Sequence, residues 1–191
     1  MARVSLSPRQ QVTRISKIAA RFDKLKNNDI QVLTTRTSEK SWSVIEVIEH
    51  MNIAQEVYEN KINSAMASLP QRQTEITQIK ASAIPSFLIK RFPPKEGKIR
   101  FKMKTMNVFK PVLDVNTITD SKVNHTLTRF QEGLSQLKEW VNQYATKDVT
   151  SAKFNSAVGA WVKFNVAEAC EFILCHNERH MQQIENTLRR V

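Results

Sequence analysis

Apolar residues recur at helical spacing in four stretches of this chain. Near the N-terminus Val12, Ile15, Ile18, Phe22 and Leu25 follow three or four residues apart. Ahead of them Ser7-Pro8-Arg9-Gln10 reads as a helix start. Ser7 can cap, Pro8 suits the first helical position and Gln10 completes a capping box. This helix is expected to run to about Val32. A second stripe, Val44, Val47, Met51, Ala54, Tyr58, Ile62 and Ala65, opens on the capping box Ser43-Val44-Ile45-Glu46 and should end before Pro70. The third starts at Asp120-Ser121 and carries Val123, Leu127, Phe130, Leu134, Leu137, Trp140, Val141 and Tyr144. After a polar linker over 146–156, the fourth is expected from about Val162 to Leu188. Val166, Ala169, Ile173, His176, His180, Ile184 and Thr187 lie in line along it.

Residues 68–120 break this period. The stretch holds Pro70, Pro85, Pro93, Pro94, Pro111 and Gly97. Pieces of it read as short helix (74–91) or extended chain (98–104). It is long for a plain loop and is better read as a crossover packed over the helices. The expected architecture is all-α, a four-helix bundle with a long crossover between helices two and three. Such a crossover lets those two helices run parallel. One domain over 1–191 accommodates all of it.

Composition narrows the function classes. The chain has 191 residues, 41% of them hydrophobic, which is enough for a core and excludes wholesale disorder. Three glycines exclude a Gly-rich phosphate loop and argue against a turn-rich β fold. No apolar run is long enough to span a membrane. The basic, Ser-containing N-terminus has the composition of a transit peptide, but its pattern continues into the first helix. Cys170 and Cys175 are five apart on a helical segment and point to different sides. Without CxxC spacing they suit a reducing, cytoplasmic setting rather than a thiolate zinc site.

Charge first points elsewhere. Lys plus Arg is 29 against 18 Asp plus Glu, a net +11, which suggests a nucleic-acid or acidic-surface partner. The excess is local, however. Residues 1–40 hold nine bases and three acids, and residues 80–110 hold nine bases against Glu96 alone. The 80–110 segment also carries Phe87, Phe92, Phe101 and Phe109, a mixture that can track phosphates and stack bases. It reads equally as a solvated crossover pinned to the bundle by its aromatics. No RNA-binding or zinc-finger motif accompanies it, so nucleic acid is disfavoured.

The sharper chemistry lies in the histidines. His176 and His180 are i and i+4 on the apolar line of the fourth helix, so both imidazoles can reach one ion. His50 lies beside the apolar stripe of the second helix. Three neutral imidazoles bind borderline divalent ions such as zinc or nickel and leave a coordination position open. His125 has no partner and reads as a helix-start residue. Asn177 stands where a zincin HExxH motif needs Glu. Glu178 projects away from the two histidines, Glu46 reads as a cap, and Glu49 reads as solvent-facing.

Three stretches around these residues resemble the DinB-like superfamily, in particular its metal-site bundle branch. Trp42 to Met51 is similar to the family's "W-S-x-x-E-x-x-x-H-L" opening of helix two. Phe154 to Trp161, with Gly159, is similar to the Gly-containing lead into helix four. His176 to Ile184 resembles the "H-x-x-x-H-x-x-Q-I" ending. The chain departs at Asn155-Ser156, where relatives commonly have His-Pro. The resemblance implies a bundle holding a metal through His50, His176 and His180. It implies hydrolase activity or transferase activity with low-molecular-weight thiols. The substrate would be a small molecule, an anion or such a thiol. Its alternative is a non-catalytic module that binds an anionic partner through 80–110. If the basic crossover covers the open end of the metal site, its charges would select an anionic substrate. The sequence names no catalytic residue and leaves a homodimer open.

Overall fold

In the computed structural model, residues 3–100 and 104–191 are described. Four long helices form the frame: α1 (Pro8–Leu25), α3 (Val44–Ser68), α5 (Asp120–Tyr144) and α6 (Val166–Leu188). A short α2 (Ile30–Thr34) lies between the first two. The crossover after α3 contains α4 (Ala83–Arg91) and a 3-10 turn over Asn107–Phe109. Strands β1 (Ser5–Leu6) and β2 (Ile79–Lys80) pair antiparallel, as do β3 (Phe154–Ser156) and β4 (Gly159–Phe164).

Around the bundle the neighbours run α1, α5, α3, α6 and back to α1. Side-chain pairs give the directions. Asn52 donates to the Thr126 carbonyl, Gln55 to the Gly133 carbonyl, and Trp140 to Asn63. Both partners' numbers rise together, so α3 and α5 are parallel, as the long crossover predicts. Gln11 with Glu171, Arg14 with Glu178 and Arg21 with Glu185 make α1 and α6 parallel too. Against α3, α6 is antiparallel: His50 meets His176 and His180, and Tyr58 meets Phe172. The topology is therefore up, down, down, up. This places the C-terminal half of α6 beside the N-terminal half of α3.

The core follows the helical stripes. All eight apolar positions expected on the third helix are buried. Ser43 accepts from the Glu46 N–H, and Glu46 accepts from the Ser43 N–H at 2.9 Å, so the second capping box forms. Ser7 makes no such bond, although Pro8 does open α1. The first helix also stops seven residues short of Val32. Asn27-Asn28-Asp29 favours a turn, and the Asn28 side chain donates to the Leu25 carbonyl at 2.7 Å.

The fourth helix departs most. Its first expected turn, at Val162, is strand. Trp161 and Lys163 face solvent while Val162 and Phe164 are buried, a period of two rather than 3.6. Helix α6 starts later, at a reciprocal capping box between Asn165 and Glu168. The linker expected over 146–156 likewise ends in strand β3.

The crossover is first anchored at one end of the bundle, where α5 ends and α1 begins. Arg72 and Ile76 N–H groups donate to the Thr146 and Ala145 carbonyls, and β2 then pairs with β1. Of the expected helix over 74–91 only Ala83–Arg91 forms. Residues 101–103 of the expected extended run over 98–104, Phe101 among them, lie outside the described residues. A tight turn reverses the chain at Glu96-Gly97, both with positive φ (52° and 69°), as a two-residue hairpin requires. Phe92 and Phe109 are buried, so these two aromatics do pin the basic segment to the bundle. Among the described residues, no helix is long and apolar enough to cross a membrane.

Candidate metal centre

Antiparallel packing of α3 on α6 brings His50, His176 and His180 together. One ring nitrogen from each lies within 4.8 Å of the others. His50 and His180 are buried, and His176 is partly open to an adjacent cavity. Outer hydrogen bonds fix two of the rings. His50 Nδ1 lies 2.6 Å from the Phe109 carbonyl, and His180 Nδ1 lies 2.9 Å from Gln183 Oε1. A carbonyl and an amide oxygen can only accept, so both Nδ1 atoms carry the proton. Their Nε2 lone pairs are left for the centre. His50 Nε2 and His176 Nε2 are 3.1 Å apart. Two nitrogens about 2.0–2.1 Å from one tetrahedral ion would be about 3.3 Å apart, so little adjustment is needed.

Electrostatics keep the rings in the ligand form. Burial lowers the His50 pKa, with the Phe109 carbonyl opposing it. Burial, then the charges of His50 and Arg179, push His176 down to about 3, with the Asn177 amide acting the other way. His180 is held well below its ordinary value by burial and by the other two histidines. Three neutral, converging imidazoles with outer-shell acceptors are a donor set that fits a divalent metal ion.

The histidines line a cavity of about 510 Å³. Trp42, Tyr58, Phe92, Phe109 and Phe172 give it aromatic walls. Lys40, Lys104, Arg179 and Arg190 also line it, and no carboxylate does among the described residues. The crossover contributes Phe92, Ile99, Lys104, Thr105, Met106 and Phe109. It therefore lies on the side of the three histidines and not at the far end of the bundle.

The acidic candidates are engaged elsewhere. Glu178 pairs with Arg14 at 2.7 Å, and Glu49 pairs with Arg129 at 2.9 Å. Glu46 bonds Arg36 as well as its cap. Burial alone would raise the Glu46 carboxyl, but those bonds outweigh it and hold it low. Asn177, at the position of the zincin glutamate, is fully buried in the bundle and does not line the cavity. His125 is exposed early in α5.

The sequence matches the DinB superfamily over residues 14–184. The chain belongs to that superfamily. Among solved structures, YfiT from Bacillus subtilis is similar to this DinB chain, with a TM-score of 0.52 and 14% identity. The match covers 96% of this chain and 86% of YfiT, which is described as a probable metal-dependent hydrolase with an unusual four-helix bundle topology. No curated protein sequence matches this DinB chain.

Three contributors were not legible as site residues. Gln183 is the Gln of the DinB helix-four ending, and its role emerges only from its bond to His180. The Phe109 acceptor is a backbone carbonyl, which side-chain patterns do not mark. Arg179 sits between His176 and His180, the single Lys or Arg on a helix that also carries four glutamates. Replacing Gln183 by Leu should weaken divalent-ion binding about 10–100-fold while leaving the melting temperature of the metal-free protein little changed. Metal titration and thermal melting of the two proteins check this.

Proposed function

We propose that this DinB-superfamily protein is a metal-dependent enzyme. In this reading His50, His176 and His180 hold a divalent ion, zinc or nickel, at the base of the cavity. The reaction is hydrolysis or transfer of a thiol, on a small anionic substrate. The convergence of three histidine ring nitrogens on a partly open, aromatic-walled cavity carries the reading. An ion with three protein ligands keeps a position for water or a thiol, polarises it and lowers its pKa.

The chain's own residues do the rest. The Phe109 carbonyl and Gln183 hold the ring tautomers. Trp42, Phe92, Phe109 and Phe172 exclude water and offer an apolar surface to the substrate body. No carboxylate faces the cavity among the described residues, and this reading assigns no Asp or Glu base. The Tyr58 phenol is held protonated: burial raises its pKa, against its bonds to Ser156, Ala157 and Val158. YfiT, described as a probable metal-dependent hydrolase, lends support through its similar fold. Two buried free thiols, Cys170 and Cys175, suit a reducing compartment, and we assign the protein to the cytoplasm.

The test is turnover by untagged protein loaded with zinc or nickel. A carboxylate-bearing ester and a small thiol with an electrophile are the two assays. Metal-dependent turnover of one of them, lost in His50→Ala, is the expected result. Turnover indifferent to chelation and to the histidine variants would overturn the reading.

A further inference from the structure

We infer that Arg179 is the specificity residue of the cavity, receiving an oxyanion group of the substrate beside the histidine centre. This inference rests on the metal-dependent reading above and names the substrate class for it: a small molecule with an oxyanion and an apolar body.

The first observation is a missing partner. Arg14, Arg21 and Arg129 are partly buried, and each reaches a carboxylate of a neighbouring segment. Arg179 is also partly buried, yet no carboxylate pairs with it among the described residues. Its neighbour is an aromatic face, with the guanidinium carbon 5.9 Å from the centre of the Phe92 ring. A guanidinium stays charged at any ordinary pH, so partial burial without a counter-ion carries a desolvation cost. An incoming oxyanion offsets that cost.

The second observation is position. Arg179 lines the same cavity as the three histidines, one residue before His180. Its charge is felt by both His176 and His180. The ring it covers, Phe92, lies 6.4 Å from the His176 ring. An oxyanion bound in the guanidinium fork would therefore have its attached atoms near the histidines and its apolar part on the aromatic wall.

The third observation separates Arg179 from the other cations. Lys40, Lys104 and Arg190 line the cavity too, but all three are exposed. Exposed charges steer ligands at long range and are screened by salt. They lack the desolvated setting in which a paired oxyanion gains most. The exposed cations thus guide anions, and the arginine on α6 holds them.

The experiment compares binding of inorganic phosphate and acetate, with acetamide as the neutral control, at fixed ionic strength. It uses the full chain in metal-free and zinc-loaded forms. Arg179→Ala should weaken the anions about tenfold or more and leave acetamide unchanged. Arg179→Lys should recover only part of the loss, because the fork is gone. Lys40→Ala and Lys104→Ala should each change anion affinity less than about threefold. Zinc content and melting temperature should be unchanged in Arg179→Ala, and Arg179→Gln serves if that variant does not fold. Wild-type anion affinity in Arg179→Ala or Arg179→Gln would overturn the inference. So would equal losses in the lysine variants. If the wild type binds no zinc, the metal reading fails, and the metal-free comparison still decides the role of Arg179.

Discussion

Replacing His176 by alanine should lower divalent-ion affinity by more than about 100-fold, beyond what loss of an outer-shell partner costs. His176 is the right place to cut because it is the ring that opens to the cavity, and its Nε2 lies 3.1 Å from His50 Nε2. Removing it leaves two ligands on different helices and no third imidazole to close the set. The metal-free variant should fold as well as the wild type. A neutral ring crowded against two others contributes little to the core, and the vacated space opens to an existing cavity. Competition against a chromophoric chelator reads the affinity, and circular dichroism reads the fold. Unchanged affinity would mean that the ion is held elsewhere.

The largest loss of stability should come from Arg14→Leu, at the contact of α1 with α6. Arg14 of α1 holds both oxygens of Glu178 at 2.7 Å and also bonds Glu171 on α6. Glu171 is almost wholly buried and accepts from Gln11, which in turn accepts from the Tyr144 hydroxyl of α5. One guanidinium thus bridges two carboxylates and closes a network across three helices. Removing one partner of a buried pair costs about 3–5 kcal/mol, because the other charge is left uncompensated. Urea unfolding should show a loss of about 3 kcal/mol, the lower figure, since Arg14 is partly solvated. Glu178→Gln keeps Arg14 paired with Glu171 and should cost much less. Equal effects of the two variants would refute this account of the network.

The sequence was legible where contacts are local. The third helix could be read in full because Val123 to Tyr144 keeps one period from end to end. The capping box at Ser43 could be read because its two partners are three residues apart. The start of the fourth helix could not. Trp161, Val162, Lys163 and Phe164 alternate over only four residues, too short a run to overrule the helical pattern that follows. The crossover was legible as a crossover, and the parallel course of helices two and three followed from its length. Its path was not, because residues 72–76 bond the end of α5 and residues 79–80 bond Ser5-Leu6, partners 69 or more residues away.

The site divides in the same way. His176 and His180 announce themselves by spacing, and His50 by its place in the family's helix-two motif. What holds them does not. The Phe109 carbonyl reaches His50 across 59 residues, and no pattern in the chain marks it. The net charge of +11 shows the opposite error. It suggested a polyanionic partner until position was considered. Part of the basic segment turns out to wall a small cavity, with Phe92 and Phe109 folded inward.

The most direct measurement is metal analysis of the protein purified without an affinity tag, joined to X-ray absorption at the metal edge. The account predicts about one divalent ion per chain with three nitrogen neighbours at about 2.0–2.1 Å, and loss of that signal in His50→Ala. A protein that takes up no stoichiometric ion, or binds one with the same neighbours after His50→Ala, would contradict it.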